Sequence, residues 1–402
     1  MQTLRQLVSI ILAASVALTA FAEQHKLPAD LTAFDRLQQS ALLVSDHAAE
    51  IIYSKRPDQL YIPASIVKLL TASLVLDHWG EAYRFSTEIF FDSDSQCLKI
   101  VGSGDPFLIS EELDRMTTQI KASGIHSIRG IQVDSSFFSR QIDFDGRGNS
   151  SNPYDAPYSA LAANFNSVAL IKQHNRVRSG EENTPLTPMH MQLAEDLDSG
   201  QYRISLKHID QAARYFTQLL TSKLRQQGVI TQNQSCAATY AETPWLVFTN
   251  SHTLQTIVTA MLKYSNNFIA QQLFLALGAD VHGAPASADK SRRVLSGYIA
   301  HHFDWQDYQL VEAAGLSRQN KLSAHQIVDI LNHFQPYRRL LDRQQTGIYA
   351  KTGTLSGVRN YAGYMQHDQH WYPFVILINQ AVPYRFREQI AHHIYTQLNP
   401  TN

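Results

Sequence analysis

The strongest constraint on the fold is a single apolar helix near the start of the chain. After Pro63, the run from Ser65 to His78 sets Ile66, Val67, Leu69, Leu70, Ala72, Leu74, Val75 and Leu76 around most sides of a helix that Gly80 ends. A helix apolar on most sides must be enclosed, so this run predicts the central helix of a domain large enough to surround it. The length allows that: 402 residues with 44% hydrophobic and 17% charged content exclude a disordered chain and leave room for more than one domain. Lys68 interrupts the apolar run, and its position argues against a solvated lysine.

The elements around this helix change in texture along the chain. Ser40 to Ser45 and Glu50 to Tyr53 read as two strands with a polar turn between them. From about residue 85 to 242 the pattern is of short strands (Leu98 to Val101, Ile131 to Val133) and turn-rich pieces, followed by a helix at Ile209 to Gln226. Two helices, His252 to Lys263 and Asn267 to Leu277, are then broken by Tyr264-Ser265-Asn266. Gly347 to Thr354, Val358 to Met365 and Trp371 to Ile378 alternate as a meander of three strands, with a last helix at Phe386 to Leu398. The expected fold is therefore α+β, helices on an antiparallel sheet, with residues 23–84 and 243–402 forming one domain and 85–242 an inserted, mainly β domain.

Residues 1–22 have one basic residue, Arg5, an apolar run, and the small-x-small end Ala20-Phe21-Ala22, the pattern of a secretory signal peptide cleaved before Glu23. The apolar core is shorter than the roughly 20 residues a bilayer needs, so the expectation is export to the periplasm without a stable membrane anchor after cleavage. In that oxidising compartment the two cysteines, Cys97 and Cys236, form either one disulfide or an inert pair of buried thiols. A formal net charge of −1 gives no electrostatic reason for a nucleic acid partner. The 17 histidines show no ligand spacing such as HExxH, so neither a metal nor another cofactor is expected.

Three short motifs occur in order: Ser65-Ile66-Val67-Lys68, Ser265-Asn266-Asn267 and Lys351-Thr352-Gly353. One helical turn separates Ser65 from Lys68, which brings hydroxyl and amine to one face at a helix N-terminus. Serine is a poor nucleophile without an adjacent base, and Lys68 can be that base if burial and a second cation, Lys351, disfavour its protonated form. The Ser65 amide is a candidate oxyanion donor, with the strand holding Lys351 able to supply another. Ser265 could relay a proton to a leaving amine while the Asn267 amide holds the substrate backbone. Lys351, Thr352, Gly353 and Thr354 lie on a strand whose edge can pair with an extended peptide, and their cationic and hydroxyl groups suit a terminal carboxylate.

With these motifs the chain resembles the D-Ala-D-Ala carboxypeptidase/endopeptidases of the class C low-molecular-mass penicillin-binding proteins. Gly104-Asp105-Pro106, Asp134-Ser135-Ser136-Phe137-Phe138, Ala163-Asn164-Phe165-Asn166 and Gly315-Leu316-Ser317-Arg318 extend the likeness. The resemblance implies a transpeptidase-like domain split by an insertion, peptidoglycan stem peptides as substrate, and β-lactams as covalent inhibitors acting on Ser65. It also places Asp134 and Arg318 beside the site, as partners for an amine and a carboxylate on the substrate's side chain. The bland reading of that pair is a turn cap and a structural ion pair. Two departures stand out: Glu312-Ala313-Ala314 replaces the family's acidic D-G-S, and the insertion is short between Asn166 and Tyr215, as if a subdomain were trimmed. A β-lactamase or esterase on the same scaffold lacks an E-x-x-x-N element here, and a non-catalytic peptidoglycan-binding protein would usually show a damaged motif.

Overall fold

The computed structural model describes residues 31–46, 48–148, 150–236 and 240–398, so the signal peptide expected at 1–22 lies outside the described residues. One helical turn (Thr32–Asp35) leads into β1 (Ser40–Ser45) and β2 (Ile51–Lys55), and a 3-10 turn at Ala64–Ile66 runs on into α1 (Val67–Trp79). Between α1 and the second motif come β3 (Ser86–Asp92), β4 (Cys97–Val101), β5 (Asp105–Leu108), α2 (Ser110–Ala122), β6 (Ser127–Ile128) and β7 (Gly130–Asp134). These continue into β8 (Leu161–Ala163), β9 (Ser167–Gln173), β10 (Arg176–Ser179), α3 (Pro188–Ala194), β11 (Gly200–Ser205), α4 (Ile209–Gln226), β12 (Ile230–Thr231) and β13 (Leu246–Thr249). The chain then adds α5 (Leu254–Lys263), α6 (Asn267–His282), α7 (Ala288–His302), α8 (Ala324–Phe334), β14 (Arg343–Gln345), β15 (Ile348–Leu355), β16 (Val358–His367), β17 (His370–Ile378) and α9 (Phe386–Leu398).

The principal sheet has the order β14-β15-β16-β17-β1-β2 and is antiparallel, so strands from both ends of the chain share it. One face carries Leu42, Val44, Ile348, Tyr361, Phe374 and Ile376 against α9. The other carries Ala41, Leu43, Ala362, Tyr364 and Val375 against α1 and the helices around it. This alternation is the pleat at work, since successive side chains of a strand point to opposite faces. Ile66, Leu69, Leu70 and Val75 are each 0% exposed, so every one contributes about 1.5–3 kcal/mol by burial, and α1 becomes the centre of the domain as its all-round apolarity requires.

The intervening segment has a core of its own, in which Ile89, Leu98 and Ile100 of the sheet β13-β3-β4-β7 meet Met116 and Ile120 of α2 and Tyr215, Phe216 and Leu219 of α4. Its closing strand, β13, lies past residue 242 and pairs with β3, from Leu246 opposite Ile89 to Thr249 opposite Ser86. The stretch between Asn166 and Tyr215 is brief yet ordered, a three-stranded sheet β10-β9-β11 with α3 beside it. The cysteine alternatives resolve as a bond: Cys97 and Cys236 are joined, with Cα atoms 5.8 Å apart. It fastens the segment after β12 to the start of β4.

Candidate active site

Where the 3-10 turn enters α1, Ala64 has φ +49°, a left-handed backbone that costs an L-residue about 1–2 kcal/mol. The 3-10 turn that carries Ser65 packs against β15. Lys68, one turn later, is wholly buried, and its Nζ donates to Ser65 Oγ at 3.1 Å, to Asn267 Oδ1 at 2.7 Å and to the carbonyl of Ala314. Three acceptors, the Ser65 hydroxyl among them, therefore hold the amine in place.

Ser265 occupies the break between α5 and α6 and is also left-handed, with φ +51°. Asn266 caps α6 by accepting from the Ile269 amide at 3.0 Å, which leaves Asn267 as its first residue, facing Lys68. From the sheet, Lys351 Nζ donates to Ser265 Oγ at 2.9 Å and to the carbonyl of Thr352 at 3.0 Å. The three motifs thus meet through two amine–hydroxyl pairs, Lys68 with Ser65 and Lys351 with Ser265. Strained, non-glycine backbone at Ala64, just before Ser65, and at Ser265 marks the points where the surrounding fold imposes geometry.

Burial dominates the electrostatics. Lys68 is held well below the ordinary lysine range, first by desolvation and then by the nearby Lys351, with Glu312 pulling the other way. Lys351 is lowered to about 7, by burial and by the Arg387 guanidinium. Both lysines are thus shifted toward the neutral amine, chiefly by burial.

The binding edge follows from the sheet. β14 reaches β15 only at Ile348 and Tyr349, so from Lys351 to Leu355 the ladder has β16 on one side and no strand on the other. Thr352 is half-buried, Thr354 exposed, and Gly353 is closed in, since a Cβ there would lie 2.6 Å from the Pro63 carbonyl.

Sequence reasoning passed over the carboxylate that builds the loop beneath Ser65. Glu312 is fully buried and accepts from the amides of Ala314 (2.8 Å), Gly315 (2.8 Å) and Ser317 (3.3 Å), and from Asn320 Nδ2 at 2.6 Å and Gln271. Burial pushes its carboxyl upward against those donors and Lys68. Its signal was present, as an acidic residue standing just before Gly315-Leu316-Ser317-Arg318 despite the altered D-G-S. The second contributor comes from the inserted region. Asn164, Phe165 and Asn166 form a left-handed turn (φ +49°, +60° and +50°) that packs Phe165 against Phe107 and Phe268, the neighbour of Asn267.

Asp134 and Arg318 each make a contact with another residue. Asp134 pairs with Lys99 at 3.0 Å on the outer face of the β3-β4-β7 sheet, and the ammonium and Ser136 hold its carboxyl below the usual range despite burial. Arg318 is exposed and donates to the carbonyl of Ser356, at the turn between β15 and β16. Among the described residues no group of His, Cys, Asp and Glu is arranged to hold a metal ion.

The model of the D-Ala-D-Ala carboxypeptidase 3 (S13) family matches residues 24–199 and 193–346. A D-alanyl-D-alanine carboxypeptidase of Actinomadura sp. (strain R39) is 24% identical over 449 aligned residues, covering 88% of this chain and 82% of the relative. Among solved structures, penicillin binding protein 4 of Haemophilus influenzae aligns with a TM-score of 0.73 at 18% identity, over 92% of this chain and 99% of that one. A predatory endopeptidase of Bdellovibrio bacteriovorus, Bd0816, aligns with a TM-score of 0.53 at 14% identity, over 90% of this chain and 92% of that one. These likenesses place an inserted domain within a transpeptidase-like fold, as in the description above.

Proposed function

Because the chain belongs to the D-Ala-D-Ala carboxypeptidase 3 (S13) family, we propose that it is a periplasmic serine carboxypeptidase/endopeptidase that cuts D-Ala-D-Ala bonds of peptidoglycan stem peptides through an acyl-enzyme on Ser65, and that penicillins acylate the same hydroxyl. The observation that carries this reading is the wholly buried Lys68 amine 3.1 Å from Ser65 Oγ, held there by Asn267 and Ala314.

Neutral Lys68 takes the Ser65 proton as Oγ bonds to the carbonyl carbon of the penultimate residue. The carbonyl π electrons move to oxygen, where the Ser65 amide and an amide of β15 face the growing charge. When the C–N bond breaks, its electron pair stays on nitrogen. That nitrogen gains a proton through Ser265, whose hydroxyl already contacts Lys351, and the terminal residue leaves as a free amine. Water then adds to the ester carbonyl and gives a proton to Lys68, neutral again once its first proton has passed to the leaving nitrogen; as the C–O bond to Ser65 breaks, Lys68 returns that proton to Oγ, which restores the hydroxyl and frees the acid. With a penicillin the leaving nitrogen remains tethered within the acyl group, so the ester persists. Export to the periplasm is supported by the pattern of residues 1–22 and by the Cys97–Cys236 bond. Among the described residues no helix is long and apolar enough to cross a membrane.

Purified protein is incubated with a labelled penicillin and the adduct is mapped by mass. The expected result is one covalent adduct on Ser65, together with release of D-alanine from a peptide ending in D-Ala-D-Ala. Folded protein that carries no adduct on Ser65 would refute the reading.

A further inference from the structure

The first turn of α9 sends one side chain back into the active-site hairpin instead of out to solvent. Arg387, whose side chain is 11% exposed, donates from Nη1 to the Gly353 carbonyl (3.2 Å), to Thr354 Oγ1 (2.9 Å) and to the Asn360 carbonyl (3.0 Å). Its Nε meets Glu388 Oε1 at 2.8 Å, and the guanidinium lies 6.0 Å from the centre of the buried Tyr361 ring. The planar group is therefore fixed behind the strand from several sides, as a flexible ammonium would not be.

This contact decides what Thr354 can do. An arginine only donates, so the Thr354 oxygen must accept, and the hydroxyl proton remains free to be given outward. Thr354 is exposed, lies on the stretch of β15 that has no second strand, and sits directly opposite Arg359 of β16. Lys351, the cation of this strand, already donates to Ser265 and to the Thr352 carbonyl. Glu388 neutralises part of the local charge, yet two arginines face one carboxylate around Thr354.

We infer that Arg387 is a positioning residue: by donating to Thr354 Oγ1 it commits that hydroxyl's proton to the carboxylate carried by the leaving residue, so that the rate with carboxylate-bearing acyl donors depends on Arg387. The inference rests on the acyl-transfer reading of Ser65 and deepens it. Arg387 also adds to the lowering of Lys351, so the same side chain contacts the strand and acts through its charge on the strand's lysine.

The test compares benzylpenicillin with its methyl ester as acylating agents of Ser65, in wild type, Arg387→Gln and Arg387→Lys. The readout is the ratio of the two second-order rates, which is independent of how much of each preparation is folded. Loss of a hydrogen bond to a charged group predicts that Arg387→Gln slows the free acid by about 10- to 100-fold while barely changing the ester. Arg387→Lys should recover part of the ratio. An unchanged acid-to-ester ratio in Arg387→Gln, or equal slowing of both compounds, would overturn the inference while leaving Ser65 acylation standing. A wild type that forms no adduct with either compound would instead remove the acyl-transfer reading itself.

Discussion

Gly315→Ala tests how closely the loop beneath Ser65 is fitted to it. A Cβ at this position would lie 2.0 Å from the Ala64 carbonyl oxygen, 2.2 Å from its carbon and 2.7 Å from the Ser65 nitrogen, all backbone atoms that cannot swing aside. Contacts under 3.0 Å are not tolerated, so the loop and the Ser65 turn must separate by about 1 Å. Gly315 also has φ +80°, which adds about 1 kcal/mol of backbone strain for an L-residue. Misplacement by 1 Å at a reacting group costs about 10²-fold in rate, and overpacking of this kind costs about 1–3 kcal/mol in stability. Gly80→Ala is the matched control: its φ is +77°, but nothing lies within 4 Å of the added Cβ. It should carry the conformational cost alone. The assay is the second-order rate of acylation by a fluorescent penicillin, read beside urea unfolding. Acylation of Gly315→Ala at the rate of Gly80→Ala would refute the steric argument.

Ser65→Ala should abolish acylation with the fold retained, and Lys68→Ala should be nearly as severe, as members of one catalytic unit are not additive; near-normal adduct formation in Lys68→Ala would mean another base. Denatured, unreduced protein should show no titratable thiol, and Cys97→Ser with Cys236→Ser should lose roughly 2–5 kcal/mol in equilibrium unfolding. Lys351 offers a pH test: with a folded value of about 7 against an ordinary 10.5, the unfolded chain binds the extra proton between those limits. Its destabilising contribution is therefore full below pH 7 and fades as pH rises toward 10.5. Lys351→Met should raise the melting temperature more at pH 6 than at pH 9 while slowing acylation, and a melting difference that does not change with pH would contradict the burial argument.

The central helix and the three motifs were legible because each depends on local pattern. Apolar residues on all sides of Ser65 to His78 leave enclosure as the only arrangement, and a turn of helix brings Ser65 and Lys68 together without help from elsewhere. Other helices were within reach of the same logic and were passed over. α2 has Leu113, Met116, Thr117 and Ile120 at helical spacing, but turn-rich flanks hid it. α8 opens with a capping box of Ser323 and Gln326 before Ile327, Val328 and Leu331. What no local pattern contains is convergence. Glu312 gains its role from amides and side chains that meet only once Gln271 and Asn320 are in place, and Arg387 reaches Thr354 from a separate helix. For Asp134, the residue carried over from the family motif is two positions diagonal to Lys99, since Lys99 lies opposite Gln132 and Val101 opposite Asp134. Same-face neighbours at that offset pair readily, and the motif alone does not disclose them.

The strand order also sets a sequence of events during synthesis. β1 lies between β2 and β17, so the sheet that supports the site cannot close until one of the last strands has been made. The intervening segment needs no such wait, because its core is drawn from residues between Ile89 and Phe248. As the chain becomes free to fold, N-terminal part first, that segment can fold as a unit while α1 is still without the helices and sheet that later enclose it. Closure then spans most of the chain, a long-range pairing that is slow to find. Ser65 is translated early, but Lys351 and Arg387 arrive near the end, so a growing chain holds the serine long before it holds the two cations at β15.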